Sequence, residues 1–479
     1  MQRGLVLNII SNLVFFLSSY CIHFFLGSSI PAASYGVVGT VITVLDFEYM
    51  FVSNGARQSL SSQISSMKYD ARDLIGKTLL FQLLLIAVFF AINFFGAPLF
   101  AYVFNDASLD FYFKLAAFLI PANGLYVVVL GINDGLQRFG NSAFLSTIYP
   151  IVKLGVIPLI IVVFPHDPVT GVELGYLFAM LITIFVGMVL LIPARKSLVG
   201  GSPEKVRFKE VAKHTLTFSF FFIMVSLVLS VDTLVVKAVV RPAAMAGYYT
   251  GAMNFGKTSY YLLQAFAVII LPVVSGLLSQ GERGQALSKA QELVLVACAV
   301  ILPLAIVISS TSEDLLATFY HPEFTVAAPA LTFLALSSFC MGMTVIFNMV
   351  LNIRKGSRFS DLLSIVSLIV VIPLFIVVAK YSGITALAAA SLCCTAVTMV
   401  ISYMEIKRRF GDPLTRQTWC VLAINAGLWI VLHALMRVLV IDNLVILALI
   451  YAGSYGLYLL LLLKTGLLRL RALSGFGRS

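Results

Sequence analysis

Residues 174–194 read LGYLFAMLITIFVGMVLLIPA, twenty-one consecutive positions without an acidic or basic side chain. An α-helix rises 1.5 Å per residue, so a run of about twenty apolar residues spans the roughly 30 Å hydrocarbon layer of a bilayer. The pattern recurs from end to end: 4–45, 78–105, 115–133, 293–312, 324–353, 362–379, 381–404 and 443–463 are likewise free of Asp, Glu, Lys and Arg. Of the 479 residues 60% are apolar and only 11% charged, and the mean hydropathy is +1.01. A soluble domain carries about twice that charged fraction. The expectation is an all-α polytopic membrane protein of about fourteen transmembrane helices, with no segment between them large enough for a soluble domain.

The net charge of +11 would suggest nucleic acid in a soluble chain. Here the positive-inside rule accounts for it. With the amino terminus placed in the cytoplasm, most of the basic residues fall in cytoplasmic loops, among them Arg57, Lys68, Arg72, Lys77, Arg138, Lys205, Arg207, Lys209, Lys213, Arg354, Lys355, Arg358, Lys407, Arg408 and Arg409. Lys114, Lys237, Arg241 and Lys380 flank the other side. Both termini are therefore expected in the cytoplasm, and the first apolar stretch is expected to stay as a span, since no small-residue cleavage site follows it. The six cysteines lie in or beside apolar runs and show neither a disulfide framework nor metal-ligand spacing.

Two short matches indicate an internal duplication. PAASYG at 31–36 resembles PAAMAG at 242–247, and IPLIIVV at 157–163 resembles IPLFIVV at 372–378. The offsets are similar and each match occupies the corresponding place in spans 1–6 and 7–12. Six crossings return the chain to its starting side, so the halves are expected to be parallel repeats related by an axis along the membrane normal. The expected organisation is an amino-terminal six-helix lobe (1–193), a basic cytoplasmic linker (194–213), a second six-helix lobe (214–406), and two extra helices with a basic tail (407–479).

Ionisable residues inside spans are the functional candidates, because a charge in hydrocarbon costs several kcal/mol and faces a cavity, a partner or a substrate path. Lys153 sits midway along the span read as 143–164, too deep to snorkel. Lys257 lies about twelve residues into the long span 245–279. Asp46 is the counterpart of Lys257 at the repeat offset, which suggests that the two pair across a central cleft; Glu48 is its neighbour. Asp232 is a candidate coupling carboxylate near the far end of span 7. Arg57 reads either as a phosphate contact or as an interfacial anchor, and His23 either as a path-lining group or as a hydrogen-bonded interior histidine. Residues 251–258, GAMNFGKT, match the phosphate-binding pattern G-x-x-x-x-G-K-[ST]. That motif needs a strand before it and a soluble sheet around it, so nucleotide binding is set aside. No cofactor, catalytic constellation or metal site is expected.

ASYG at Ala33–Gly36, SVDTLVV at Ser230–Val236 and AGYYTGA at Ala246–Ala252, together with the overall plan, resemble the oligosaccharide flippases of the polysaccharide transporter family. That family lies within the superfamily that also holds multidrug exporters and lipid II flippases. The resemblance covers essentially the whole chain. It implies two six-helix lobes in a V around a cleft, alternating access, and a polyprenyl-pyrophosphate-linked oligosaccharide as substrate, moved to the outer leaflet of a bacterial inner membrane for O-antigen or other lipopolysaccharide-type surface glycans. It also implies membrane lipids, a polysaccharide polymerase and a chain-length regulator as partners, and no nucleic acid. Lipid II flippases carry basic residues in helices 1, 2 and 8; His23, Arg57 and Lys257 fall in those helices here, with Lys153 as a further cation, and Tyr20 and Tyr260 are candidates for stacking on sugars. The alternatives are a cation-coupled multidrug exporter or a lipid II flippase on the same fold. A membrane-embedded glycan polymerase would need a catalytic constellation and a large external loop, and neither is present.

Overall fold

The computed structural model describes the chain except residues 1, 194–203, 265–273, 275–276, 278–281, 353–358, 437, 439–442 and 469–479. The first half of the expected linker, Arg437 and the basic tail lie outside the described residues. What is described is helical, and ten segments are long and apolar enough to cross a membrane. The protein is a multi-pass membrane protein. The chain divides into two compact units, Met1–Ala238 and Val239–Ser479.

In the first unit α1 (Gln2–Ser29) packs along α7 (Phe139–Lys153). The next span is α2 (Ala32–Tyr49), a π-turn (Met50–Asn54) and α3 (Gly55–Ser65) in unbroken succession. α4 (Ala71–Val103) starts at Asp70, whose side chain accepts from the amides of Arg72 and Asp73; such a cap satisfies donors that the first helical turn leaves free. Its outer face is Leu80, Leu83, Leu84, Val88, Ile92, Phe95 and Leu99, all exposed, while Thr78, Gln82 and Asn93 are buried. This polar-in, apolar-out arrangement suits a helix whose solvent is lipid, where interior hydrogen bonds rather than apolar burial join neighbours. α5 (Leu109–Ala116), α6 (Leu119–Gly135), α7 (Phe139–Lys153), α8 (Val156–Val162), α9 (Pro168–Leu191) and α10 (Phe208–Val239) complete the unit.

The fifth span, expected as one helix over 143–164, is two. α7 ends at Lys153, Leu154 and Gly155 form a turn, and α8 follows. Pro158 has no N–H for the carbonyl four residues back, and the turn closes through short bonds from the Leu154 amide to Ile151 and from the Gly155 amide to Val152. α9 presses close to this break: a Cβ on Gly175 would lie 2.4 Å from Val156 Cγ2.

The described end of the linker is tied to this unit. The Asp70 amide donates to the Glu204 carbonyl (2.9 Å), the Val206 amide to Asp73 Oδ2 (3.0 Å), and Lys77 Nζ to the Val206 carbonyl (2.7 Å). Val206 and Val211 are buried against Leu60, Ile64, Leu74, Val128 and Ile132. At the opposite end Lys237 Nζ, on a side chain only 3% exposed, meets Asp106 Oδ2 at 2.6 Å.

The second unit holds α11 (Ala244–Gly256), α12 (Arg283–Val296), a second π-turn (Ala297–Ile301), α13 (Leu302–Ser310), α14 (Ser312–Phe319), a 3₁₀ turn (Pro322–Ala327) and α15 (Ala328–Asn352). α16 (Phe359–Arg409) is two helices meeting at Gly383, where φ is +76°, a backbone state that glycine adopts without steric cost. α17 (Arg416–Met436) and α18 (Leu444–Lys464) dock on the second π-turn. Asn425 Nδ2 donates to the Cys298 carbonyl (3.0 Å) and to Tyr458 Oη (2.8 Å). Tyr455 Oη donates to the Val300 carbonyl (2.7 Å).

Burial alone would raise the Asp106 carboxyl, but hydrogen bonds from Lys237 Nζ and Ser108 outweigh it and hold the group below the usual carboxylate range. A depressed folded value means that the pair's stabilisation is complete above the ordinary aspartate value of about 4 and fades as pH falls through the depressed value. Asp106→Asn withdraws the carboxylate from a buried ammonium and is expected to cost about 2–3 kcal/mol. Thermal unfolding in detergent at neutral pH will show this as a lowered Tm, and the gap between the two proteins will close on strong acidification.

Candidate functional site

Lys153 is the last residue of α7 and only 9% of it is exposed. A helix carboxy terminus carries partial negative charge and unused carbonyl groups, so the break after α7 is a place where a buried ammonium is tolerated. The lysine Nζ stands 3.8 Å from the Tyr176 ring centroid and 5.9 Å from that of Tyr149, within cation–π reach of the first ring and at the edge of it for the second. Asp46 on α2, an exposed residue, interacts electrostatically with Lys153 and with Tyr49, Tyr149 and Tyr176.

The cluster continues along α7. Ser142, Ser146, Tyr149 and Lys153 recur at spacings of four, three and four, which places them on one helix face. Tyr149 packs on Tyr126 of α6 with centroids 5.7 Å apart. At the far end Arg57 Nε donates to Asp134 Oδ2 at 2.7 Å, and its Nη2 lies 3.4 Å from Ser142 Oγ. Arg57 and Lys153 thus bracket a row of tyrosine and serine side chains within one unit. Sequence reading singled out the two cations and missed Asp134, Tyr126, Tyr149 and Tyr176; the four-three-four spacing on α7 was the available signal.

Other candidates are placed elsewhere. Glu48 is two residues from Asp46, about 200° around the helix, and turns to α4: its Oε1 accepts from Asn93 Nδ2 at 2.5 Å, and its buried Oε2 has no hydrogen-bond partner among the described residues. His23 Nδ1 lies 3.0 Å from Tyr35 Oη, bracing α1 against the start of α2. Asp232 is buried in α10, and its Oδ1 is 2.7 Å from the Thr233 amide. Tyr260 Oη is hydrogen-bonded to Gln264 one turn on. Among the described residues no group of three His, Cys, Asp or Glu is placed to hold a metal ion.

Lys257 belongs to the second unit. It caps the carboxy terminus of α11, and the chain turns there before residues 258–264 resume as helix. The expected long span is therefore interrupted at its lysine, as the fifth span is at Lys153. Residues 251–256 of the phosphate-loop pattern are helical, without the strand that such a loop requires. Asp46 and Lys257, matched by the repeat offset, fall in different units, and Asp46 has an electrostatic partner, Lys153, within its own.

Residues 30–329 match the family described as polysaccharide biosynthesis protein. Among curated proteins there is no match. Solved structures with the same fold include the lipid II flippase MurJ in an inward closed conformation, 15% identical, with 96% of this chain and 98% of that one covered and a TM-score of 0.70. An inward-facing multidrug resistance MATE family transporter of the MOP superfamily is 15% identical over 83% of this chain and 94% of its own, with a TM-score of 0.67. A MOP superfamily transporter from Pyrococcus furiosus is 14% identical over 85% and 96%, with a TM-score of 0.61. These identities establish the fold.

The Arg57 side chain is 35% exposed, so its pairing with Asp134 is screened and is expected to contribute about 1 kcal/mol. In a cycle of Arg57→Gln, Asp134→Asn and the double variant, unfolding free energies in detergent will show a coupling of about that size. Additive losses would mean that the pair is not formed in the membrane protein.

Proposed function

We propose, from the premise that this chain belongs to the polysaccharide biosynthesis protein family, that it is a flippase for polyprenyl-pyrophosphate-linked oligosaccharides. It would carry the headgroup from the cytoplasmic to the outer leaflet of a bacterial inner membrane by alternating access of two lobes, with both termini cytoplasmic, in the synthesis of a surface glycan such as O-antigen. A polysaccharide polymerase and a chain-length regulator are the proposed partners downstream. No chemistry is performed on the substrate.

The observation that carries this reading is that Lys153 and Lys257 each stand at a helix break. Neither Lys153 nor Lys257 forms an ion pair among the described residues. A pyrophosphate headgroup is dianionic and cannot cross hydrocarbon alone. Ammonium donors replace its water with charge-assisted hydrogen bonds, and an inside-negative potential favours its outward movement by about 2.3 kcal/mol per charge per 100 mV. A cation exporter would need carboxylates where these lysines stand. Asp46, Glu48 and Asp232 remain the proposed gating or ion-coupling groups, and Arg57 and His23 the further substrate contacts.

A lipid II flippase is the second reading, favoured by one observation: the MurJ alignment covers 96% of this chain, against 83% for the multidrug transporter. Its substrate also carries a polyprenyl pyrophosphate, so both are given to the same assay.

The full chain, reconstituted in liposomes, is expected to move a fluorescent polyprenyl-pyrophosphate oligosaccharide between leaflets, and Lys153→Ala and Lys257→Ala to slow this at least about tenfold each, since losing one charge-assisted contact costs about 1.5–3 kcal/mol. Faster movement of lipid II than of the oligosaccharide would select the second reading. Movement of a cationic dye, with neither lipid transported by folded protein, would overturn both.

A further inference from the structure

The π-turn at Met50–Asn54 holds one more residue than an α-helical turn, and it lies between Asp46 and Arg57. Each α-helical residue advances by about 100°, so the extra residue turns everything beyond it by that angle relative to a regular helix. The direction of Arg57 toward Asp134 and Ser142 therefore depends on this turn persisting.

A π-turn widens the helix and releases a backbone carbonyl, which in hydrocarbon needs a donor. The Val52 carbonyl lies in this turn, and Gln82 of α4 donates to it: its Nε2 lies 2.5 Å from the Val52 oxygen and 3.4 Å from the Gly124 oxygen of α6. Gln82 is 0% exposed, and its Oε1 has no hydrogen-bond partner among the described residues. Burying half an amide unpaired is costly, and what it provides is a donor at this carbonyl. The three helices meet tightly here, since a Cβ on Gly124 would lie 2.5 Å from Ile86 Cδ1 and 3.1 Å from Val52 Cγ1. Beyond the turn, the backbone of Arg57 packs on α6 at Gly131, where a Cβ would lie 3.3 Å from both Arg57 Cα and its carbonyl oxygen.

We propose that Gln82 is a positioning residue: by bonding a carbonyl inside the π-turn, it keeps the extra residue in the second span and so sets the direction of Arg57. Its importance for transport rests on the flippase reading, in which Arg57 contacts the substrate phosphate. The direction of Arg57 does not.

The test uses the full chain in membranes. A short thiol cross-linker is expected to join Arg57→Cys to Ser142→Cys when Gln82 is present. Gln82→Leu is expected to abolish the link, with Gln82→Met used where the leucine variant does not fold. Deletion of Ser53, which removes the surplus residue and restores a regular helix with Arg57 in place, is expected to bring the link back in the Gln82→Leu background. Cross-linking that is indifferent to Gln82, or not recovered by the deletion, overturns the proposal. In proteoliposomes Gln82→Leu is expected to raise the apparent KM for the fluorescent lipid-linked oligosaccharide about tenfold, as Arg57→Ala does, and the double variant to be no worse than Arg57→Ala. Losses that multiply would mean that Gln82 acts independently of Arg57 and would overturn its positioning role. Cross-links as expected, with transport unchanged by Arg57→Ala, would uphold the positioning and overturn the substrate contact.

Discussion

A backbone carbonyl released inside hydrocarbon has no water to turn to, and the structure is organised around the places where spanning helices release them. Four of these interruptions come with a particular side chain. The first π-turn has Gln82 on the Val52 carbonyl, and the second has Asn425 on Cys298 and Tyr455 on Val300. The breaks after α7 and at the end of α11 have lysines. Helix–helix attachment follows from the same need: α4 is joined to the second span, and α17 and α18 to the second π-turn, at the points where the backbone wants a donor.

This ordering separates structural polar groups from those left over. Gln82, Asn93, Asn425 and Tyr455 use their donors on backbone or side-chain acceptors inside a unit. Arg57 is shared between Asp134 and Ser142. Lys237 is consumed by Asp106. Lys153 differs: around it stand two tyrosine rings, the end of a helix and the field of Asp46, all of which stabilise a positive charge without forming an ion pair with it.

The membrane class was legible in the sequence because it rests on one contrast, charge against long apolar runs. The helix breaks were not. Gly155 and Gly256 are ordinary residues in membrane helices, and nothing in a hydropathy profile marks a turn of one or two residues. The π-turns are invisible for the same reason: Met50–Asn54 and Ala297–Ile301 have no composition of their own, and the polar residues that complete them, Gln82 and Asn425, lie 30 and 127 positions away from the carbonyls they bond. Asp46 and Glu48 are near neighbours in sequence, but two residues on a helix face opposite ways: Glu48 turns to Asn93, while exposed Asp46 acts on Lys153 through its charge. The tyrosines around Lys153 could not be chosen among nineteen without knowing which helix faces meet.

An ammonium has three donors and no acceptor. At Lys153 a ring face and a distant carboxylate offset the cost of burial, yet neither takes a donor in a directed bond. Arginine would be a poor replacement, since its planar fork carries five donors in fixed directions and needs more acceptors than the end of α7 provides. Lys153 therefore keeps donors that an anion with several oxygens, such as the proposed headgroup, would use together with its charge. A sugar hydroxyl would meet the donors and leave the charge unanswered; a phosphate meets both. Lys257 likewise stands at the end of a helix, α11, in the second unit.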